Sequence, residues 1–286
     1  MFSWLKRRGS APEPVDPGLW ESATLDYLFL RGIDTPGHER LRALAGQFLA
    51  DKRFYGTHDL EVTPFMAVQV AAQASILVME LGLDWYEGWT DVIVYPGQFA
   101  PEREVVDEAG VVHQTRDPMA GEAWLGGPVI LSWEDVALAA DADERVAGYN
   151  VVIHEFAHKL DMRSGDANGC PPLHREMSLA QWKGAFAPAY EDFCSRVDAA
   201  DESAQSDGGA ALDALPIDPY ASESPAEFFA EMYALYYDIG DPQRKNIPAD
   251  AGAWIKAKLG GVSRSQPAKP KTATSKTALK RPGRRR

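Results

Sequence analysis

Apolar residues recur at helical spacing twice in the first third of the chain. From Gly37 to Phe54, Leu41, Leu44, Phe48 and Leu49 share one face while Glu39, Arg40, Arg42, Asp51 and Lys52 lie largely elsewhere, which predicts an amphipathic surface helix. From Pro64 to Leu81 the run is apolar almost all round. Thr63 and Pro64 supply a cap and first-turn signature and Gly82 a stop, so this second helix is expected to be buried and to form much of an N-terminal core. Between Asp91 and Trp133 the period shortens to that of strands: DVIVYP (91–96), EVVDEAGVVHQ (104–114, a hairpin turning at Glu108–Gly110) and EAWLGGPVILSW (122–133). Helical composition returns from about Asp141 through Leu160 and again from Ser178 to Ala199, where Pro188 should bend or divide the helix. Ala200–Pro219, acidic and rich in small residues, reads as a loop, and a further helix begins near Ser224.

These elements predict an α+β fold: an irregular lead-in over 1–18, a helical N-terminal scaffold over 19–90, a part containing a small mixed sheet over 91–262, and a disordered tail over 263–286. Charge sharpens the last boundary. The chain carries 29 basic and 42 acidic residues, net −13, but nine of the basic residues and no acid fall after Val262, which leaves a body of −22. An acidic body repels phosphate, so any nucleic-acid contact would fall to the tail. The opening MFSWLKRRG lacks the apolar stretch of a signal peptide. The apolar run Pro64–Met79 is short and interrupted by Gln69, Gln73 and Ser75, so a membrane span is not expected. Cys170 and Cys194 can form at most one disulfide and lack the pairing of a thiolate metal site; a reduced, cytoplasmic setting is the expectation.

The chemistry concentrates in VVIHEFAHKLD (151–161). It contains H-E-x-x-H at His154, Glu155 and His158, and on a helix the two imidazoles lie one turn apart on one face, able to share one Zn²⁺ with Glu155 beside them as general base. A catalytic zinc takes three protein ligands and leaves one position open, so a third ligand is required. SESPAEFFAEMY (222–233) offers Glu227, with Glu231 and Glu223 as rivals. Ser224 as N-cap and Pro225 at the first position would equally make Glu227 a capping residue, and spacing does not choose among these. Asp161, three residues after His158, is either a second acceptor behind a ligand imidazole or a helix-end carboxylate. Phe228 and Phe229 are expected in the core, His113 on a solvated strand, and 127–132 as a sheet edge open to an extended peptide.

HEFAHKLD and SPAEFFAEMYALYY, with IVYPGQF (93–99) and GPVILSW (127–133), together resemble the Mlc titration factor A family of bacterial zinc peptidases, over most of residues 20–255. The catalytic part of that family is similar to the protease domain of anthrax lethal factor. The resemblance implies a zincin-like metallopeptidase fold with an active-site helix. It also implies one Zn²⁺ per chain on His154, His158 and Glu227, with Glu155 as the base and, from its spacing seven residues before Glu227, Tyr220 stabilising the oxyanion. It further implies aminopeptidase-like hydrolysis of peptides and binding of the transcriptional repressor Mlc, which controls sugar uptake. A non-catalytic protein that sequesters such a regulator is the alternative.

Overall fold

Three helices of the N-terminal third start on side-chain caps followed by proline. Asp16 heads α1 (Pro17–Thr24), Asp34 heads α2 (Thr35–Asp51) and Thr63 heads α3 (Pro64–Leu77), each side-chain oxygen accepting a backbone amide three residues on. The computed structural model describes residues 13–238 apart from 32, 102, 107–111, 116–117, 141–148, 174–177 and 216. The basic tail, the hairpin turn at 108–110 and the expected helix start at Asp141 therefore lie outside the described residues. Helix α2 buries Leu41, Phe48 and Leu49, as its periodicity predicts, and Ala45 with them, while Leu44 is only half-buried. It stops at Asp51, short of Phe54. Lys52 turns inward, its Nζ donating to the carbonyls of Tyr86 and Trp89, and β1 (Arg53–Gly56) begins at once. Every residue of α3 from Met66 to Leu77 is buried, and the chain leaves it through Gly82 at φ 97°, a conformation that glycine adopts without strain.

Strands β2 (Asp91–Tyr95), β5 (Gly121–Ala123) and β6 (Val129–Ser132) join β1 in a mixed sheet of order β1-β2-β6-β5, parallel except for β5. Strands β3 (Arg103–Val106) and β4 (Val112–Thr115) form a separate antiparallel pair carrying His113, whose side chain lies outside the described residues. The stretch 122–133 is thus two strands around a turn, and β6, whose four residues are all buried, has neighbours on both sides. The edge expected at 127–132 belongs instead to β5.

Helix α4 (Trp133–Ala140) follows β6 directly, earlier than the sequence pattern indicates. Helix α5 (Val151–Asp161) then carries the H-E-x-x-H motif. Helix α6 (Leu179–Asp207) passes through Pro188 undivided, because Trp182 and Phe186 before it and Phe193 and Val197 after it are buried in one cluster. It also absorbs the first part of the expected loop, which continues through Gly208 and Gly209, both at positive φ, into α7 (Ala210–Asp213). Helix α8 (Pro225–Asp238) closes the described fold.

Two apolar clusters meet at α5. One joins α1, α2, α3, the sheet and Val152, Ile153, Phe156 and Leu160 of α5. The other joins Ala157 to α6 and α8. Phe156 touches Phe48, Tyr86 and Trp89 with ring centroids 5.3–5.8 Å apart. A fully buried Phe is worth about 3–5 kcal/mol against alanine, so the motif helix is fixed from both sides.

Candidate metal centre

Asn150 caps α5 by accepting the Ile153 amide, and the helix sets His154 and His158 one turn apart with their rings 4.8 Å from centroid to centroid. Helix α8 lies alongside. Its Ser224 Oγ accepts the Glu227 amide at 3.2 Å, so the serine is the cap, while the Glu227 carboxylate turns to the histidines. Glu227 Oε2 stands 3.1 Å from His154 Nε2 and 3.2 Å from His158 Nε2, and the two Nε2 atoms are 3.1 Å apart. Three ligands on a tetrahedral zinc with bonds of 2.0–2.1 Å would be separated by about 3.3 Å, so the donor set fits that ion in chemistry and in size. It also fits electrostatically. Burial would raise the Glu227 carboxyl, but hydrogen bonds from His154 and His158 outweigh it and hold the group far below the usual carboxylate range. Burial would lower His154, but Glu227 and Glu231 outweigh it and raise it well above the ordinary histidine value. The pocket is built to hold positive charge.

Glu155 is 6 % exposed, and burial, partly offset by His154 and His158, raises its carboxyl above the ordinary value. Gly121 of the edge strand lies against it: a Cβ at that position would come within 2.5 Å of Glu155 Oε1. Tyr220 sits in a short turn (Pro219–Ser222) headed by Asp218, which accepts its amide at 2.8 Å, and the Tyr190 hydroxyl ties this turn to α6 through the Ser222 carbonyl. The Tyr220 ring is 6.4 Å from that of His154, centroid to centroid, and 42 % exposed.

The remaining candidates fall elsewhere. Glu231 meets the far side of His154, and Glu223 is exposed outside the donor set. Asp161 backs neither imidazole. It is fully buried and gathers the amides of Asn168, Gly169 and Cys170 at 2.6–2.9 Å, fixing the loop after α5. Phe228 and Phe229 are core residues, as expected, and Cys170 and Cys194 are free thiols.

Two residues went unread in the sequence. Gly121 gave no signal, but Lys159 did: a lysine inside an otherwise buried helix needs partners. Its Nζ donates to the carbonyls of Trp124 and Gly127 at 2.6 and 2.8 Å and lies 4.5 Å from the Trp89 ring centroid, which pins the β5–β6 turn to the motif helix. Among the described residues no helix is long and apolar enough to cross a membrane.

Comparison with known proteins agrees with this arrangement. A profile described as glucose-regulated metallo-peptidase M90 matches residues 1–249. A protein named Mlc titration factor A from Escherichia fergusonii is 33 % identical over 249 residues, covering 87 % of this chain and 88 % of its own. Its namesake from Yersinia pestis is 32 % identical over 250 residues, covering 87 % and 86 %. With an H-E-x-x-H helix, a carboxylate facing it and a match over most of its length, the chain belongs to the glucose-regulated M90 metallopeptidase family.

Proposed function

We propose that this chain is a zinc-dependent peptidase of aminopeptidase type, holding one Zn²⁺ through His154, His158 and Glu227. The observation that carries the reading is the triangle of three donor atoms 3.1–3.2 Å apart beside the buried Glu155. Zinc, when bound, supplies a Lewis acid that polarises a carbonyl and acidifies water. Glu155 receives the proton of the attacking water and returns it to the leaving amine, a task suited to a carboxyl whose pKa burial raises above the ordinary value. The Tyr220 hydroxyl donates to the oxygen that gains charge as the carbonyl becomes tetrahedral, and so favours the transition state over the bound substrate. An extended peptide would lie along the outer side of β5, the end strand among the described residues, where the absence of a side chain at Gly121 leaves room for Glu155.

The test is metal content and hydrolysis. Parent protein should hold one zinc per chain and cleave peptides with a free N-terminus while sparing the same peptides acetylated. Glu227→Ala should lose both metal and activity; stoichiometric zinc in that variant would move the third ligand elsewhere. Equal cleavage of acetylated peptides would remove the aminopeptidase assignment alone.

A second role is supported by the name Mlc titration factor A carried by the relatives. In this reading the chain also binds an Mlc-like transcriptional repressor in the cytoplasm, a location that the two free thiols suit. A pull-down with that repressor should capture parent and Glu155→Gln equally; failure of both to bind would dismiss the partner.

A further inference from the structure

Glu231 lies one helical turn beyond Glu227 on α8, and its Oε1 stands 3.0 Å from Nδ1 of His154. That nitrogen is on the opposite side of the ring from the Nε2 that meets Glu227. Both side chains are nearly buried, 12 % and 13 % exposed, so the contact is shielded from competing water. An imidazole offers the lone pair of Nε2 only when its proton sits on Nδ1, and a carboxylate oxygen at 3.0 Å accepts that proton's hydrogen bond. His158 differs. Among the described residues its buried Nδ1 has no hydrogen-bond partner. The two histidines are equivalent in the H-E-x-x-H pattern yet are not held equivalently in the fold: one ring has a carboxylate behind it, the other does not.

We infer that Glu231 is a positioning residue: it fixes the ring orientation and tautomer of His154 so that Nε2 faces the metal. Glu231 therefore does not supply a ligand, although it lies only four residues beyond Glu227 on the same helix. This inference rests on the metal-centre reading above, and the experiment separates the two.

Zinc affinity is measured by competition with a chromogenic chelator for the parent, Glu231→Gln, Glu231→Met, Glu227→Ala and His154→Ala, each checked for fold by circular dichroism in its metal-free form. Glu231→Met keeps the bulk and removes the acceptor, and zinc affinity should fall about 10–100-fold. Glu231→Gln keeps an acceptor oxygen on a side chain of the same length and should recover most of that loss, a rescue that a packing role would not produce. Should the methionine variant fail to fold, Glu231→Ala takes its place against the same glutamine variant. Parent affinity in Glu231→Met, with zinc lost from His154→Ala, would overturn the positioning role and leave the centre standing. Zinc retained by His154→Ala would sink the centre and the inference together. Zinc lost entirely from Glu231→Met yet retained by Glu227→Ala would make Glu231 the ligand and overturn the inference.

Discussion

The close approach of Gly121 in the sheet to Glu155 on the motif helix gives a direct handle on the proposed general base. A Cβ added to Gly121 would stand 2.5 Å from Oε1, 2.6 Å from Cγ and 2.8 Å from Cδ of Glu155. Relaxed contacts between such atoms are about 3.5 Å, so in Gly121→Ala the Glu155 arm must retreat by about 1 Å. Helix α5 cannot yield instead, because Ile153 and Phe156 are fully buried behind it. The backbone poses no separate obstacle, since Gly121 lies in an edge strand outside the positive-φ region. The overpacking should cost about 1–3 kcal/mol, which a domain of ordinary stability tolerates. Displacing a reacting group by about 1 Å costs about 100-fold in rate, equivalent to about 2.7 kcal/mol on the barrier. The three atoms nearest that Cβ all belong to Glu155 and none to the proposed ligands His154, His158 and Glu227, so zinc should remain at one per chain while kcat/KM on a small peptide falls about 100-fold. A folded, zinc-loaded Gly121→Ala with the parent's kcat/KM would refute the placement of Glu155 as base.

Three further substitutions probe separate parts of the account. Tyr220→Phe should lower kcat about 100- to 1,000-fold with zinc content and KM little changed, the signature of a donor used in the transition state; an unaltered kcat removes the residue from the mechanism. Lys159→Met strands the Trp124 and Gly127 carbonyls and should cost about 2–3 kcal/mol in chemical denaturation. Burial first, and Lys52 second, lower Lys159 from 10.5 to about 8. Between those values the unfolded chain binds more protons than the folded one, so this residue's contribution to stability rises with pH. The gap in unfolding free energy between parent and variant should therefore widen from pH 8 to 10, and a constant gap would contradict the assignment. Asp161→Ala leaves the Asn168 and Gly169 amides without their acceptor, while the Cys170 amide keeps Asn168 Oδ1 at 3.0 Å, and should destabilise by about 3 kcal/mol, with faster hydrogen exchange at Asn168 and Gly169; protection equal to the parent's would show that the loop is held by other means.

Much of this was legible where the signal is local. The caps at Thr63 and Ser224, the period of α2, the buried run of α3 and the H-E-x-x-H spacing are each short-range patterns, and each appears in the fold. What failed depends on contacts made far along the chain. Strand β1 exists because its partner β2 lies 38 positions on, Arg53 opposite Asp91, and nothing in DKRFYG (51–56) marks the change from helix. Helix α6 survives Pro188 because α8 packs against both halves, a tertiary term larger than the local cost of proline. The edge passed from β6 to β5 because strand order is not written in strand composition. In the site, Glu227 and Glu231 are four residues apart on one helix and chemically identical, so spacing left them as rivals. Packing separates them: one meets the Nε2 atoms, the other the Nδ1 of a single histidine. The position of Asp161 near His158 on the helix leaves it open between a partner for an imidazole and a helix-end carboxylate; the loop that follows decides, supplying three amides at 2.6–2.9 Å.

The central claim, that Glu155 moves the proton while other residues hold the metal, separates cleanly in Glu155→Gln. The substitution keeps size and removes the base without touching His154, His158 or Glu227. Measured side by side, metal content should stay at one zinc per chain while peptide hydrolysis falls to background; hydrolysis at the parent's rate in the zinc-loaded variant would contradict the account.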